Sequence, residues 1–539
     1  MRTTPLRTVA LVATVLALAL TACSASGDGP DDDAGATNED LTPQSGGELV
    51  VGISDWCGAY DKQQTSGCTY SNIQITDNLV DQDPDTGEIL PWLATDWEIS
   101  PDGLRYEFTL QEGVTFSDGE PFNAEAVKLN FDAIIELGEQ GNAFQSSAYL
   151  QGYTGAEVID EYTVAVEFEA PKAGFLQALS EAPLGFVSPS TTQLTAEERF
   201  EGVIGSGPFV LEEIVQDEKI VLVRRDDYAW PSPVRDNQGP AYLEKITFLV
   251  IPEPAVRIGA LTSGQVDAIT FPTTNNIDEV AATSTVFSRA SAGIVYTLYP
   301  NYEHPILSQL TVRQAVQHAI NRQEIKDVVL DDTKEAATSA VSTVFPGYVD
   351  LSEELTYDPD EVERILTDDG WALGSDGIWE KNGQRLSFDL QYSSPENKAL
   401  FELLQQQLAA NGIELQLRQL TDAEITANQE SGDWGVSFGN LTRPDPDVFL
   451  SAYTSEYAAR VNVDPNPELH DAIHAQSVEL DPERRQELSE QIQRTIVTEG
   501  LGFPIHEAVS VVAAKPTVHD VSFTAPWWAI FGDAWIEQG

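Results

Sequence analysis

Positive charge is scarce in this chain. Lys and Arg number 29 against 87 Asp and Glu in 539 residues, a formal net charge of −58. So strong an anionic balance repels phosphate and excludes nucleic acid as a partner. It also keeps the surface solvated, and it says little about any single pocket. Cysteine is nearly missing, with three residues, Cys23, Cys57 and Cys68. That count excludes a multi-bridge scaffold, and no C-x-x-C motif is present. Histidine numbers six, and only His470 and His474 have the i, i+4 spacing of helical metal ligands. Asp471 would point to a different face of that helix, so the pair reads as two histidines on a solvated helix. The chain has no H-E-x-x-H, no G-x-S-x-G and no Walker loop. Neither a metal nor a cofactor is expected. Beyond the N-terminus no apolar run is long enough to cross a bilayer.

What is present begins with a targeting segment. Arg2 and Arg7 precede the apolar run Val9 to Leu20, which is too short and too early for a membrane span. Leu20-Thr21-Ala22-Cys23 resembles a bacterial lipobox, which implies cleavage before Cys23 and a diacylglycerol anchor on its thiol. The alternative is an ordinary secretory site followed by a cysteine. Residues 24–46, rich in Asp, Gly, Ser, Pro and Thr, have almost nothing to bury and read as a flexible acidic tether. In an oxidising compartment Cys57 and Cys68 most simply form a disulfide, because nothing nearby completes a metal site. At 539 residues the chain is too long for one core and implies two or three lobes.

The most informative stretch runs from Pro91 to Phe131. Pro101-Asp102-Gly103 is a turn. Tyr106, Phe108 and Leu110 then alternate with Arg105, Glu107 and Thr109, the period of a strand with one buried face. Val114 to Phe116 reads as a short second strand between Glu112-Gly113 and Ser117-Asp118-Gly119. Asn123 is placed to cap a helix with Glu125 in its first turn, and Val127, Phe131 and Ile134 repeat at helical spacing.

The ordered motif P-x-L-A-x-x-W-x-x-S-x-D-G-x-x-Y-x-F-x-L, then G-V-x-F-x-D-G-x-P-x-x-A, resembles the extracytoplasmic substrate-binding proteins of peptide/nickel-type ABC importers, bacterial solute-binding protein family 5. Gln111 departs from the basic residue usual there. Further matches are Gly205-Ser206-Gly207-Pro208-Phe209, the run Arg257 to Asp267, Leu310 to Arg322, and Asp369-Gly370-Trp371. The resemblance implies an α/β fold, bilobed and periplasmic-binding-protein-like, of type II in its large variant with an extra subdomain in the first lobe. The expected layout is a signal segment at 1–23, the tether, first-lobe segments at 47–83 and 203–292 around an inserted subdomain at 84–202, a second lobe at 293–508, and a return at 509–539.

The resemblance also implies a ligand cleft between the lobes. Ser66, Gly67 and Cys68 lead into Ser71-Asn72-Ile73, a segment that contributes to the cleft in this family; the other reading is an exposed loop stiffened by its disulfide. Tyr296 aligns with an aromatic that faces the ligand, or else packs at the hinge. The stretch opened by Trp434 carries Asn440, Thr442 and Arg443 as candidate contacts. In peptide-binding members an acidic residue pairs there with the peptide α-ammonium, and aligned on Pro446 that position is Thr442. Arg443 either enters the cleft, which favours a carboxylate, phosphate or polyol, or turns outward to Asp445 or Asp447. The function implied is a lipid-anchored, monomeric binding protein that passes an oligopeptide-like or other small polar solute to the membrane permease subunits of an importer. The competing class is an enzyme or metal-binding protein on the same scaffold.

Overall fold

The computed structural model describes residues 42–54, 60–64, 69–272, 276–454 and 466–538. Residues 43–539 form one compact unit, built around two sheets. The first has seven strands, in the order Thr285–Ala290, Val509–Ala514, Ala268–Thr270, Glu48–Ile53, Lys245–Val250, Lys219–Arg224 and Phe209–Val215. Glu48–Ile53 is the parallel partner of Lys245–Val250 and of Ala268–Thr270. Leu49, Val51, Phe248 and Val512 bury one continuous core in this lobe.

The second lobe holds a five-stranded sheet, ordered Glu414–Gln419, Ser387–Tyr392, Val436–Thr442, Gly293–Pro300 and Phe503–His506. Helix Lys398–Ala410 links two of its strands, which run parallel as a βαβ unit. Asp358 caps helix Pro359–Asp368, as its Asp-Pro start implies.

A third sheet, four-stranded and antiparallel, is interposed in the first lobe: Ala94–Ile99, Arg105–Leu110, Thr163–Phe168 and Tyr153–Asp160. Tyr106, Phe108 and Leu110 are buried on one face, and Phe175 meets Tyr106 and Phe108 edge to face. Helix Ala124–Glu139 closes that core with Val127, Phe131 and Ile134, and Asn123 Oδ1 accepts from Ala126 N at 3.0 Å. One expectation fails locally. Val114–Phe116 is not a strand but a short segment between two turns with one isolated bridge, Thr115 to Pro121. Gly119 folds the chain back on itself, so the apolar Val114 and Phe116 fill the core without a ladder partner.

The chain passes between the two main sheets twice, from Ala290 to Gly293 and from His506 to Val509. Gly293 is required at the first crossing because a Cβ there would collide with the Leu441 carbonyl oxygen. Glycines also explain Gly205 to Phe209, where both Gly205 and Gly207 press on the backbone of Ile75 and Gly207 N donates to Ile75 O at 2.9 Å.

Candidate functional site

Two cavities lie where the second lobe faces the rest of the molecule, and their chemistry differs. The first, about 610 Å³, is walled by Gln145, Tyr149 and Lys172 from the inserted subdomain and by Thr442, Arg443 and His474 from the second lobe. Strand Val436–Thr442 delivers Thr442 and Arg443 to its edge. Arg443 crosses between the lobes. Its Nε donates to Gln177 Oε1 at 3.1 Å, an NH2 nitrogen donates to Asp447 Oδ2 at 3.2 Å, and its guanidinium sits 4.9 Å from the Tyr149 ring centre. Burial is the largest single influence and opposes this charge, but Asp447, Tyr149, Asp445 and Glu181 together outweigh it and raise the guanidinium above its ordinary range.

Behind Arg443 the charges are satisfied among themselves. Arg485 donates to both oxygens of Asp445, at 2.6 and 2.8 Å. Burial disfavours ionised Asp445, yet the charge and hydrogen bonds of Arg485, with the Arg443 charge and the Asp447 N–H, together hold the carboxyl below its usual value. Gln177 relays the contact further: its Nε2 donates to Glu181 Oε1 at 2.7 Å. Burial pushes Glu181 up to about 7, against the pull of Gln177, Arg443 and Lys62. Burial likewise brings Lys62 and Lys172 down to about 8. Two further bonds tie the second lobe to the first, Ala173 N to Ser477 O at 3.0 Å and Gln82 Nε2 to Pro444 O at 3.1 Å.

The second cavity, about 560 Å³, straddles the two chain crossings. Phe271, Val511 and Trp527 wall it from the first lobe, and Tyr296, His506 and Leu400 from the second. Tyr296 is set by a bulge. Ile294 pairs with Leu441 and Thr297 with Gly439, so three residues of one strand oppose two of the other. Its ring stacks on Phe438, with centroids 5.1 Å apart and planes at 15°, and lies 4.7 Å from His506. Burial lowers His506 to about 4, so the ring is neutral at ordinary pH. Its Nδ1 lies 2.8 Å from the Glu507 carbonyl oxygen, which can only accept; the proton is therefore on Nδ1 and Nε2 carries a lone pair.

The residues proposed from sequence are thus divided. Thr442 and Arg443 border the first cavity and Tyr296 the second. Arg443 pairs with Asp447 while facing inward, which merges the two alternatives posed for it. Thr442 Oγ1 is 2.7 Å from Ser291 Oγ at the first crossing. Asn440 is half-buried on the same strand and Trp434 is buried just before it, its carbonyl accepting from Asn301 Nδ2 at 3.0 Å. Neither walls either cavity. Cys23, Cys57, Ser66, Gly67 and Cys68 lie outside the described residues. The rings of His470 and His474 are 4.3 Å apart, and no group of three or more metal-ligating side chains occurs among the described residues. Nor is any helix among them long and apolar enough to cross a membrane. Sequence reasoning missed Phe271, Trp527 and His506; the Trp527-Trp528 pair after the chain's return was the available signal.

Known proteins share this architecture. The family model described as "Bacterial extracellular solute-binding proteins, family 5 Middle" matches residues 88–460. The chain is 28% identical over 459 residues to the nickel-binding periplasmic protein of Escherichia coli (strain K12), covering 81% of this chain and 84% of that one. It is 25% identical over 416 residues to the dipeptide-binding protein of the same organism, covering 72% and 75%. The crystal structure of NikA from Brucella suis in complex with Fe(III)-EDTA superposes with a TM-score of 0.79 at 26% identity, covering 90% of this chain and all of that one.

Proposed function

The chain belongs to the bacterial extracellular solute-binding proteins of family 5, and from that premise we propose that its solute is captured between the two lobes, beside the chain crossings, for delivery to an ABC importer. The observation that carries this reading is the cavity walled from both lobes where the chain crosses twice. Two short crossings form a hinge, and rotation about it opens and closes whatever lies between the lobes. The protein acts as a binder without turnover. A solute recovered from natively purified protein and identified by mass spectrometry should stabilise the solute-free protein by RT ln(1 + [L]/Kd), about 2.7 kcal/mol at a hundredfold excess over Kd, and be recovered unchanged. Conversion of that solute would contradict the reading.

The solute is neutral or anionic, not a peptide held by its α-ammonium. Thr442 offers a hydroxyl already engaged by Ser291, while Asp445 and Asp447 are held by Arg485 and Arg443. A buried ammonium without a carboxylate partner is costly. The mature protein is monomeric and held at the membrane through a lipid on Cys23, with Cys57 and Cys68 bridged. Cys23→Ala should release it from membranes into the medium; retention of that variant would refute the anchor.

A further inference from the structure

The aromatic cavity at the crossings has features that plain packing leaves unexplained. Among the described residues, five non-glycine positions have positive φ, and two of them, Phe271 at 47° and Trp527 at 150°, are its first-lobe wall. Bulky side chains resist such backbone, and residues held in it concentrate at ligand clamps. The two rings meet at 6.1 Å and 63°. Trp527 Nε1–H is buried with no hydrogen-bond partner among the described residues. Opposite stand Tyr296, stacked on Phe438, and His506. The only hydrogen bond of the His506 ring among the described residues uses Nδ1, which leaves Nε2 as an acceptor on the cavity wall. One wall therefore presents two rings on strained backbone, and the other an acceptor beside a stacked ring. In the arginine-lined cavity, by contrast, Arg443 is already engaged.

The geometry points to a subsite for a flat heteroaromatic group of the solute, inserted between Phe271 and Trp527 on one lobe and Tyr296 and His506 on the other, with a ring N–H donated to His506 Nε2. Aromatic walls gain from offset or edge contacts with such a ring. Lys334, paired with Asp331, and Glu396 also border this cavity, so the rings and not a single charge define the subsite. This inference rests on solute capture between the lobes and narrows it to a chemical class.

The probe is benzimidazole, which at pH 7.5 is neutral, flat, and carries one N–H and one ring acceptor. Binding to the full-length protein is read by saturation-transfer NMR and calorimetry. Benzimidazole should bind, and 1-methylbenzimidazole, which has lost the donor, should bind about tenfold more weakly, the value of one hydrogen bond. That comparison uses only the wild-type protein, so it stands whether or not a variant folds. His506→Phe and Tyr296→Leu should each weaken benzimidazole by a similar factor. Equal binding of the two probes, no binding of either, or binding of tetramethylammonium in their place would overturn the subsite, the last in favour of a cation cage. If the co-purified solute still stabilises the protein while benzimidazole fails, solute capture stands and only the ring subsite falls.

Discussion

The two cavities walled from both the second lobe and the rest of the chain have similar size and opposite character. At the larger, Arg443 on the wall is matched with Asp447 and Gln177, and behind it Asp445 is matched with Arg485 and Glu181 with Gln177, while Glu169 and Lys172 also border the space. In the smaller, aromatic rings are held on strained backbone, with a donor on Trp527 that lacks a partner among the described residues. A site whose polar groups already satisfy one another is built to hold two parts of a protein together. A site of rings held on strained backbone with an acceptor left over suits a bound ring instead. On the proposed reading, the charged cavity fixes the inserted subdomain to the second lobe and the aromatic one receives the solute.

The comparison breaks most readily at Arg443. Arg443→Ala leaves Asp447 relying on Arg485 and removes the link to Gln177. Removing one partner of a buried pair costs roughly 3 kcal/mol or more, readable by urea denaturation, and Arg443→Met should recover part of it through packing. A loss below about 1 kcal/mol, the range of exposed pairs, would show that the charges do not hold these parts together.

The next effect is a pH dependence. Glu181 is raised in the folded protein to about 7 from an ordinary 4.5, chiefly by burial. Stability from its neutral form is fully present below 4.5 and lost as the pH rises through 7. Glu181→Gln keeps an acceptor for Gln177 and does not titrate, so the variant should gain on wild type between pH 5 and 8, by on the order of 3 kcal/mol at most. Ionised Glu181 partly compensates the Lys62 charge, so losing that partner offsets part of the variant's gain near pH 7 to 8. A difference that is flat or opposite in slope would place Glu181 in water.

The aromatic cavity should behave otherwise. Trp527→Phe keeps a ring and deletes a buried donor with no partner among the described residues, so stability should hold or rise by about 1 kcal/mol while solute affinity falls through the smaller ring face. A clear loss of stability in thermal melts would mean that the indole N–H serves the fold.

How much of this was legible in the sequence follows from distance along the chain. The strand Arg105–Leu110, the Asn123 cap and the Asp358-Pro359 helix start are set by neighbours within a few residues, so their periodicity and capping chemistry announce them. Val114–Phe116 shows the limit of that signal: its alternation is that of a strand, but the turn at Gly119 leaves it a bridge rather than a ladder. Thr442, Arg443 and Tyr296 were reachable only through family resemblance. The bulge that aims Tyr296 depends on pairing with residues more than 140 positions away. Phe271, His506 and Trp527 come from three separate passes of the chain, and no local pattern unites them.

Hydrogen exchange of the solute-free protein, with and without the solute recovered from native material, tests the central claim most directly. Solute capture beside the crossings predicts that added protection concentrates at Ile294 to Leu298, Ile505 to Val511 and the segment around Trp527, with little change at Gln145 to Gln151. Protection concentrated at Gln145 to Gln151 and Glu169 to Lys172 instead would move the solute to the charged cavity and contradict the account.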